Sequence, residues 1–207
     1  MGKTVEFRGV DNLVIAEVTK DNNDSGETEG YVTGTVSILA PVAEISKTVE
    51  SSSENKYYDN TAHITIKSEG ADTVTLTVPA LDLATLGKIL GKTVDETTGA
   101  FIDGEPEEKY FAIGYRLKLT DGTHRYVWRL KGTFGIPDET SATENDGTDS
   151  NNQQLTFSGV RTIHKFTKTG KNTKAVVLDE RDGLCKFDSF FTTVQTPDTI
   201  ETLKKSA

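Results

Sequence analysis

The 207-residue sequence holds one cysteine, one methionine, one tryptophan, three histidines and five prolines. A lone Cys185 can make neither an internal disulfide nor a cysteine-built metal centre, and its place in an apolar run reads as a small buried side chain. Redox chemistry is not expected. Long hydrophobic runs are also missing: the longest stretch without a charge, residues 30–43, is fourteen residues and contains Thr33, Gly34, Thr35, Ser37 and Pro41. A membrane-crossing helix needs about 20 mostly apolar residues, so none is expected. The N-terminal MGKTVEFRGV has no apolar centre of signal-peptide length, and Glu6 stands where a myristoylation motif needs Ser or Thr. Cytoplasmic synthesis without a membrane anchor is the expectation. Basic charge is short as well, 23 Lys and Arg against 32 Asp and Glu for a formal net charge of -9. That balance argues against a nucleic-acid grip built on phosphate neutralisation, though not against nucleic acid passing nearby.

What is plentiful is β-branched. Thr (31), Val (16) and Ile (11) supply 58 of the 207 residues, and such side chains fit a pleated surface better than a helix. A mainly β, single-domain chain follows. Thr73 to Val78 alternates apolar Val74, Leu76 and Val78 with Thr73, Thr75 and Thr77, one face core and the other wet. His63 to Lys67 repeats the pattern with Ile64 and Ile66 inside, and a turn at Gly70-Ala71-Asp72 is predicted to pair the two runs. The strongest hairpin signal has Phe111, Ile113, Tyr115, Leu117 and Leu119 leading up to Asp121-Gly122, and Tyr126, Trp128 and Leu130 leading away. It is read as the centre of the fold. Further strands are predicted near residues 5–18, 31–39, 154–167, 174–179 and 184–194, nine or ten in all. One helix is predicted over residues 81–91, after Pro79 and closed by Gly91, with Leu83, Leu86, Ile89 and Leu90 forming its apolar stripe. A short helix is predicted at 198–205, capped by Asp198 or Thr199.

The polar stretches carry most of the charge. Residues 21–30, 95–108 and 138–152 hold four, six and five acidic residues and no Lys or Arg. Without those fifteen carboxylates, 17 acidic residues face 23 basic ones, so acidic loops sit on a mildly basic body. Residues 46–60 (SKTVESSSENKYYDN) read as a fourth long polar loop, ending in Tyr57 and Tyr58. Loops of this length are usually functional, and 46–60 and 138–152 are the expected assembly loops of the domain, followed by a C-terminal tail. Exposed tyrosines suit a protein interface.

Catalytic and ligand-binding signatures do not stand up. Gly87-Lys88-Ile89-Leu90-Gly91-Lys92-Thr93 has three residues between its glycines where a phosphate loop has four, and its helix comes before rather than after. Gly91 reads instead as a helix C-cap. Glu144 to Asp149 offers oxygens to a calcium ion, but with Gly147 in sixth place an EF-hand would begin at Ala142 and end at Gln153. His63, His124 and His164 lack zinc spacing, no serine lies in a Gly-x-Ser-x-Gly elbow, and no carboxylate pair stands out. No enzyme, metal or cofactor is expected.

From Tyr110 through Asp121-Gly122 (YFAIGYRLKLTDG), on through Arg125 to Phe134 (RYVWRLKGTF) and Pro137, the chain resembles the major tail proteins of long-tailed phages infecting Gram-positive bacteria. Tyr57-Tyr58-Asp59-Asn60, the VTLTVPALDL segment and SATENDGTDSNNQQLTFSG from Ser141 to Gly159 extend the resemblance over most of the chain. It implies a β-sandwich or half-barrel flanked by one helix, closing into hexameric rings that stack head to tail as a tail tube of the virion. The implied role is structural: self-assembly, with tape-measure, tail-tip and tail-terminator proteins as partners, and passage of double-stranded DNA to the host without specific binding. Subunit-interface candidates are Tyr57, Tyr58, Arg125, Arg129, Asp138 and Glu139. Arg116, Lys118 and Lys131, on or beside the non-core positions of the central hairpin, extend the basic set, and Glu105, Glu107 and Glu108 the acidic set. The other reading of the same pattern is a β-sandwich receptor- or carbohydrate-binding module, which would need an exposed aromatic platform or a metal-lined groove.

Overall fold

The computed structural model describes residues 4–23, 30–138 and 152–205. The chain is mainly β, an antiparallel sheet curled into a half-barrel and flanked by one α-helix. Its strands are β1 (Phe7–Asp21), β2 (Tyr31–Thr33), β3 (Ser37–Ile38), β4 (Glu44–Tyr58), β5 (Thr61–Val78), β6 (Thr93–Val94), β7 (Phe101–Ile102), β8 (Phe111–Leu119), β9 (His124–Phe134), β10 (Gln153–Gly159) and β11 (Ala175–Asp179). The main sheet runs β2-β1-β8-β9-β10-β5-β4, with β3 also on β1 and β11 also on β9, while β6 and β7 pair with each other alone.

The central hairpin, β8 and β9, forms as the alternation predicts, and its two apolar sets fall on opposite faces. Tyr115 lies opposite Val127 and Gly114 opposite Trp128. Residues opposite each other in an antiparallel pair point the same way, so Ile113 and Tyr115 share one face with Val127, and Tyr126, Trp128 and Leu130 take the other. Both faces must then be covered, and both are. On one face Phe111, Ile113, Val74, Leu76, Leu155 and Phe157 pack with Ile89 and Leu90 of the helix. On the other, Trp128 and Leu130 pack under Phe166, Phe190, Val194 and Leu203 of the C-terminal segment. That segment is the second layer of the domain. Trp128 donates its indole N–H to the Phe190 carbonyl at 3.0 Å, which satisfies the one polar group of a fully buried ring.

Helix α1 (Leu83–Leu90) begins where Asp82 accepts the Thr85 amide at 2.8 Å and ends at Gly91, whose φ of 64° is left-handed. Gly91 is required twice, because a Cβ there would also collide with the Glu107 carbonyl. Ile89 and Leu90 are buried and Leu86 partly so, but Leu83, read as part of the apolar stripe, is half exposed.

Five expectations are corrected. Residues 63–67 and 73–78 are not a hairpin but parts of the one strand β5, and Gly70 and Ala71 form a β-bulge in it: pairing passes from Val49↔Asp72 to Ser51↔Glu69, two residues opposite Glu50 alone. Residues 46–60 are not a loop, since β4 runs to Tyr58 and pairs with β5 throughout. The turn lies at Asp59-Asn60, both with positive φ, 47° and 62°, as a two-residue type I′ hairpin requires. Residues 184–194 form turns and one isolated bridge rather than a strand, and the strand expected over 154–167 stops at Gly159. The short C-terminal helix is a 3-10 turn, Ile200–Leu203, that buries Leu203. Of the stretch 138–152, residues 139–151 lie outside the described residues, as does the whole Glu144–Asp149 segment weighed for calcium.

Candidate assembly surface: a two-stranded arm and its root

β10 pairs with β5 only from Asp72 to Val78. Beyond that point β4 is the sole neighbour of β5 among the described residues, so Val49–Tyr58 and Thr61–Ala71 form a two-stranded arm. At about 3.3 Å per residue it is about 30 Å long. Every side chain from Ser46 to Tyr58 and from His63 to Glu69 is exposed. Its local pairing is mostly polar: Ser52 Oγ and Ser68 Oγ are 2.6 Å apart, and Thr65 donates to Asn55 at 2.9 Å. An isolated two-stranded hairpin is marginal in water. Yet this one carries Tyr57, Tyr58, Ile64 and Ile66 at 50 to 65% exposure, so the two isoleucines expected inside point to solvent.

At the root, where the bulge turns the arm away from the sheet, lies a knot of charge. Asp72 is held by Arg129 at 2.5 Å, Lys174 at 3.2 Å and Lys47 at 3.7 Å. Glu69 is held by Arg161 at 2.9 Å and Lys174 at 3.3 Å, and the Lys174 ammonium also donates to the Gly70 carbonyl. Burial, the largest single influence, works to raise the Asp72 pKa. The Lys174 hydrogen bond and the charges of Arg129, Lys47 and Lys174 together outweigh it, so the carboxyl sits below its ordinary value.

The candidate residues therefore separate. Tyr57 and Tyr58 sit together at the arm tip, with Tyr58 edge-on to His63 at 6.2 Å. Arg125 is half-buried, bonded to Asp179 at 2.9 Å and stacked over Phe7. Arg129, expected on a wet face, is buried: its guanidinium reaches Asp72 and the Tyr115 hydroxyl inside the first core, at a position opposite Ile113. Lys131 is likewise buried against Asp21 at 2.7 Å, and Arg116 is paired two-pronged with Asp11. Asp138 is exposed, and Glu139 lies outside the described residues. The root residues Lys47, Glu69, Arg161 and Lys174 were not singled out from sequence. The available signal was Gly70 inside an alternating strand, which marks a bulge as readily as a turn.

Among the described residues no three His, Cys, Asp or Glu side chains are grouped to hold a metal ion, and no helix is long and apolar enough to cross a membrane. Comparison with protein-family models finds no match. No curated protein matches the chain either.

Proposed function

We propose that the chain is a tail-tube subunit of a long-tailed phage: it closes with copies of itself into hexameric rings, which stack head to tail into a hollow tube that conducts DNA during ejection. The observation that carries this reading is the arm, a marginal element about 30 Å long whose exposed aromatic and branched side chains have no cover within the described chain. It is an element built to be completed by a neighbour. Among the described residues the outer edge of β4 and the arm edge of β5 leave backbone donors and acceptors unpaired, a hazard for a monomer and a joint for an assembly.

A second feature suits a conduit. On the face of β4, β5 and β10 away from the first core, pairing aligns Ser46, Thr75 and Thr156 in one row and Thr48, Thr73 and Ser158 in the next. This lattice of hydroxyls offers phosphates no cation to hold them, so DNA could slide past it. The runs that resemble those of major tail proteins add the same direction from sequence. Tape-measure, tail-tip and terminator proteins are the further partners of this reading, and the virion tail its location.

The test is negative-stain microscopy and sedimentation of the purified chain as concentration rises, with and without tail-tip and tape-measure proteins. Rings or tubes are expected. A chain that stays monomeric under every condition overturns the proposal.

A further inference from the structure

The arm root is open on one side as a cleft of about 410 Å³. Five cations line it: Lys47, Arg129, Arg161, Lys171 and Lys174. Only two carboxylates, Glu69 and Asp72, stand among them. The cleft thus lacks three negative charges. Lys171 is exposed and its ammonium has no ion partner among the described residues, while Lys47 and Arg161 keep 39 and 52% of their side chains open to solvent. A concave surface with uncompensated positive charge, built beside a joint, is suited to an acidic polypeptide segment.

The chain carries such a segment elsewhere. Residues 95–108 bear six carboxylates and no cation, and a turn there is fixed by Asp95, which accepts the Thr97 and Thr98 amides. Its tether is rigid at the other end, where the Glu107 amide donates to the Gly91 carbonyl at 2.8 Å. Among the described residues its ion partners are Lys92, for Asp103, and Lys109, for Glu107. None of its six carboxylates pairs with a cation of the cleft, and Glu96 and Glu105 are exposed. Among the described residues one copy does not neutralise its own cleft, but the next copy can.

We propose that the cleft at the arm root is the seat of segment 95–108 of a second copy, with Glu96 and Glu105 of that copy facing Lys171 and Arg161. The contact joins two different surfaces of identical chains, so it repeats from copy to copy. It rests on the self-assembly reading and adds the location of one joint. Because Arg161 and Lys174 also hold Glu69 of the arm, a docked acidic segment shares its cations with the arm and couples the two contacts.

Charge exchange in the full-length chain tests this. Arg161→Glu with Lys171→Glu forms one variant, Glu96→Lys with Glu105→Lys a second, and all four changes together a third. Self-association is followed by sedimentation velocity at low salt, each monomer being checked for folding by its thermal midpoint. Each two-site variant should associate about tenfold more weakly or worse, and the four-site variant should regain most of the loss. Carbodiimide cross-linking of the wild type, mapped by mass spectrometry, should join Lys171 to Glu96 or Glu105 between copies, a readout that holds even where a variant fails to fold. Wild-type association in either two-site variant, no recovery in the four-site variant, or cross-links of 95–108 to another surface overturns the seat. If tubes still form in those cases, the functional reading stands without it. A wild type that neither associates nor cross-links removes both. Binding of a labelled DNA duplex that is lost with Arg161→Glu and Lys171→Glu would assign the cleft to phosphate and also overturn the proposal.

Discussion

Nη1 of Arg129 lies 2.5 Å from Oδ2 of Asp72, with both side chains under a tenth exposed, so the arm is rooted on a buried ion pair. Removing two charges from water costs several kcal/mol, and the pair is sustained only because Lys174, Lys47 and the Tyr115 hydroxyl satisfy what the two partners leave over. Substitutions at this pair therefore read out on folding before they read out on assembly.

Arg129→Glu sets a carboxylate against Asp72 in a dry site and should cost about 3–5 kcal/mol in urea unfolding. Arg125→Glu is expected to cost only about 1 kcal/mol, since Arg125 is partly open to solvent and Asp179 keeps Arg181 at 2.6 Å. Equal losses at the two sites would show that burial does not separate them. An assembly defect in a variant carrying both changes would consequently reflect unfolding at Arg129, which makes Arg125→Glu alone the informative probe of an interface.

Acid should loosen the fold in a defined window. Asp11 is held below its ordinary pKa chiefly by its hydrogen bonds to Arg116, Asp179 chiefly by Arg181 and then Arg125, and Asp72 by the balance described above. In the unfolded chain these groups return to about 3.9. Between that value and the lower folded values the unfolded chain binds more protons, so stability falls as pH falls. The contribution is complete above about pH 5 and lost progressively below about pH 4. Urea midpoints should change little from pH 7 to 5 on account of these groups and drop from pH 4 to 3, with Asp179→Asn flattening the drop. A loss already complete by pH 5 would assign acid sensitivity to other groups.

The arm should behave as an appendage. Replacing residues 50–70 by a two-residue turn removes, among the described side chains, none that is buried, and it removes no pairing with β10, so the monomer's unfolding free energy should change by less than about 1 kcal/mol. Arm amides should exchange with solvent faster than those of β8 and β9, because few buried contacts hold them. Tubes should fail to form, and Tyr57→Ser with Tyr58→Ser should weaken assembly without moving the thermal midpoint. An arm deletion that unfolds the monomer would place the arm in the core.

How far the sequence speaks follows from how many neighbours a residue answers to. The central hairpin, the strand Thr73–Val78 and the helix between Asp82 and Gly91 are legible because their periods and caps are local. Residues 46–60 are not, for this strand of the arm has no buried face beyond its root and shows no apolar alternation, so Ser, Glu and Asn read as a loop. Gly70 is ambiguous in the same way, since a bulge and a turn share one signal. The buried Arg129 turns on loop length: a two-residue turn at Asp121-Gly122 would set Trp128 opposite Tyr115 on one shared face, but the loop holds three residues, Thr120 to Gly122, which puts Trp128 opposite Gly114 and calls for a second core. What fills that core, Phe166 through Leu203, lacks periodic structure and had to be seen.

Gly114 and Trp128 offer the sharpest test of that second core. They face each other across the hairpin, and a Cβ at Gly114 would come within 3.0 Å of the indole ring and 2.9 Å of a Val14 methyl. Such contacts demand a shift, and the ring is fully buried beside Ala112 and Val14 with its N–H committed to the Phe190 carbonyl. Gly114→Ala must therefore displace the indole or part β8 from β9, and overpacking of this kind costs about 1–3 kcal/mol. Because Trp128 is the sole tryptophan, its emission reports the site without labelling. The variant should lose stability in that range and shift emission to longer wavelength as the ring moves toward solvent, while Gly99→Ala, with nothing within 4 Å, lacks that collision and leaves emission unchanged. An unshifted spectrum at Gly114→Ala with full stability would mean that the C-terminal cover yields, and that the second core is softer than its packing implies.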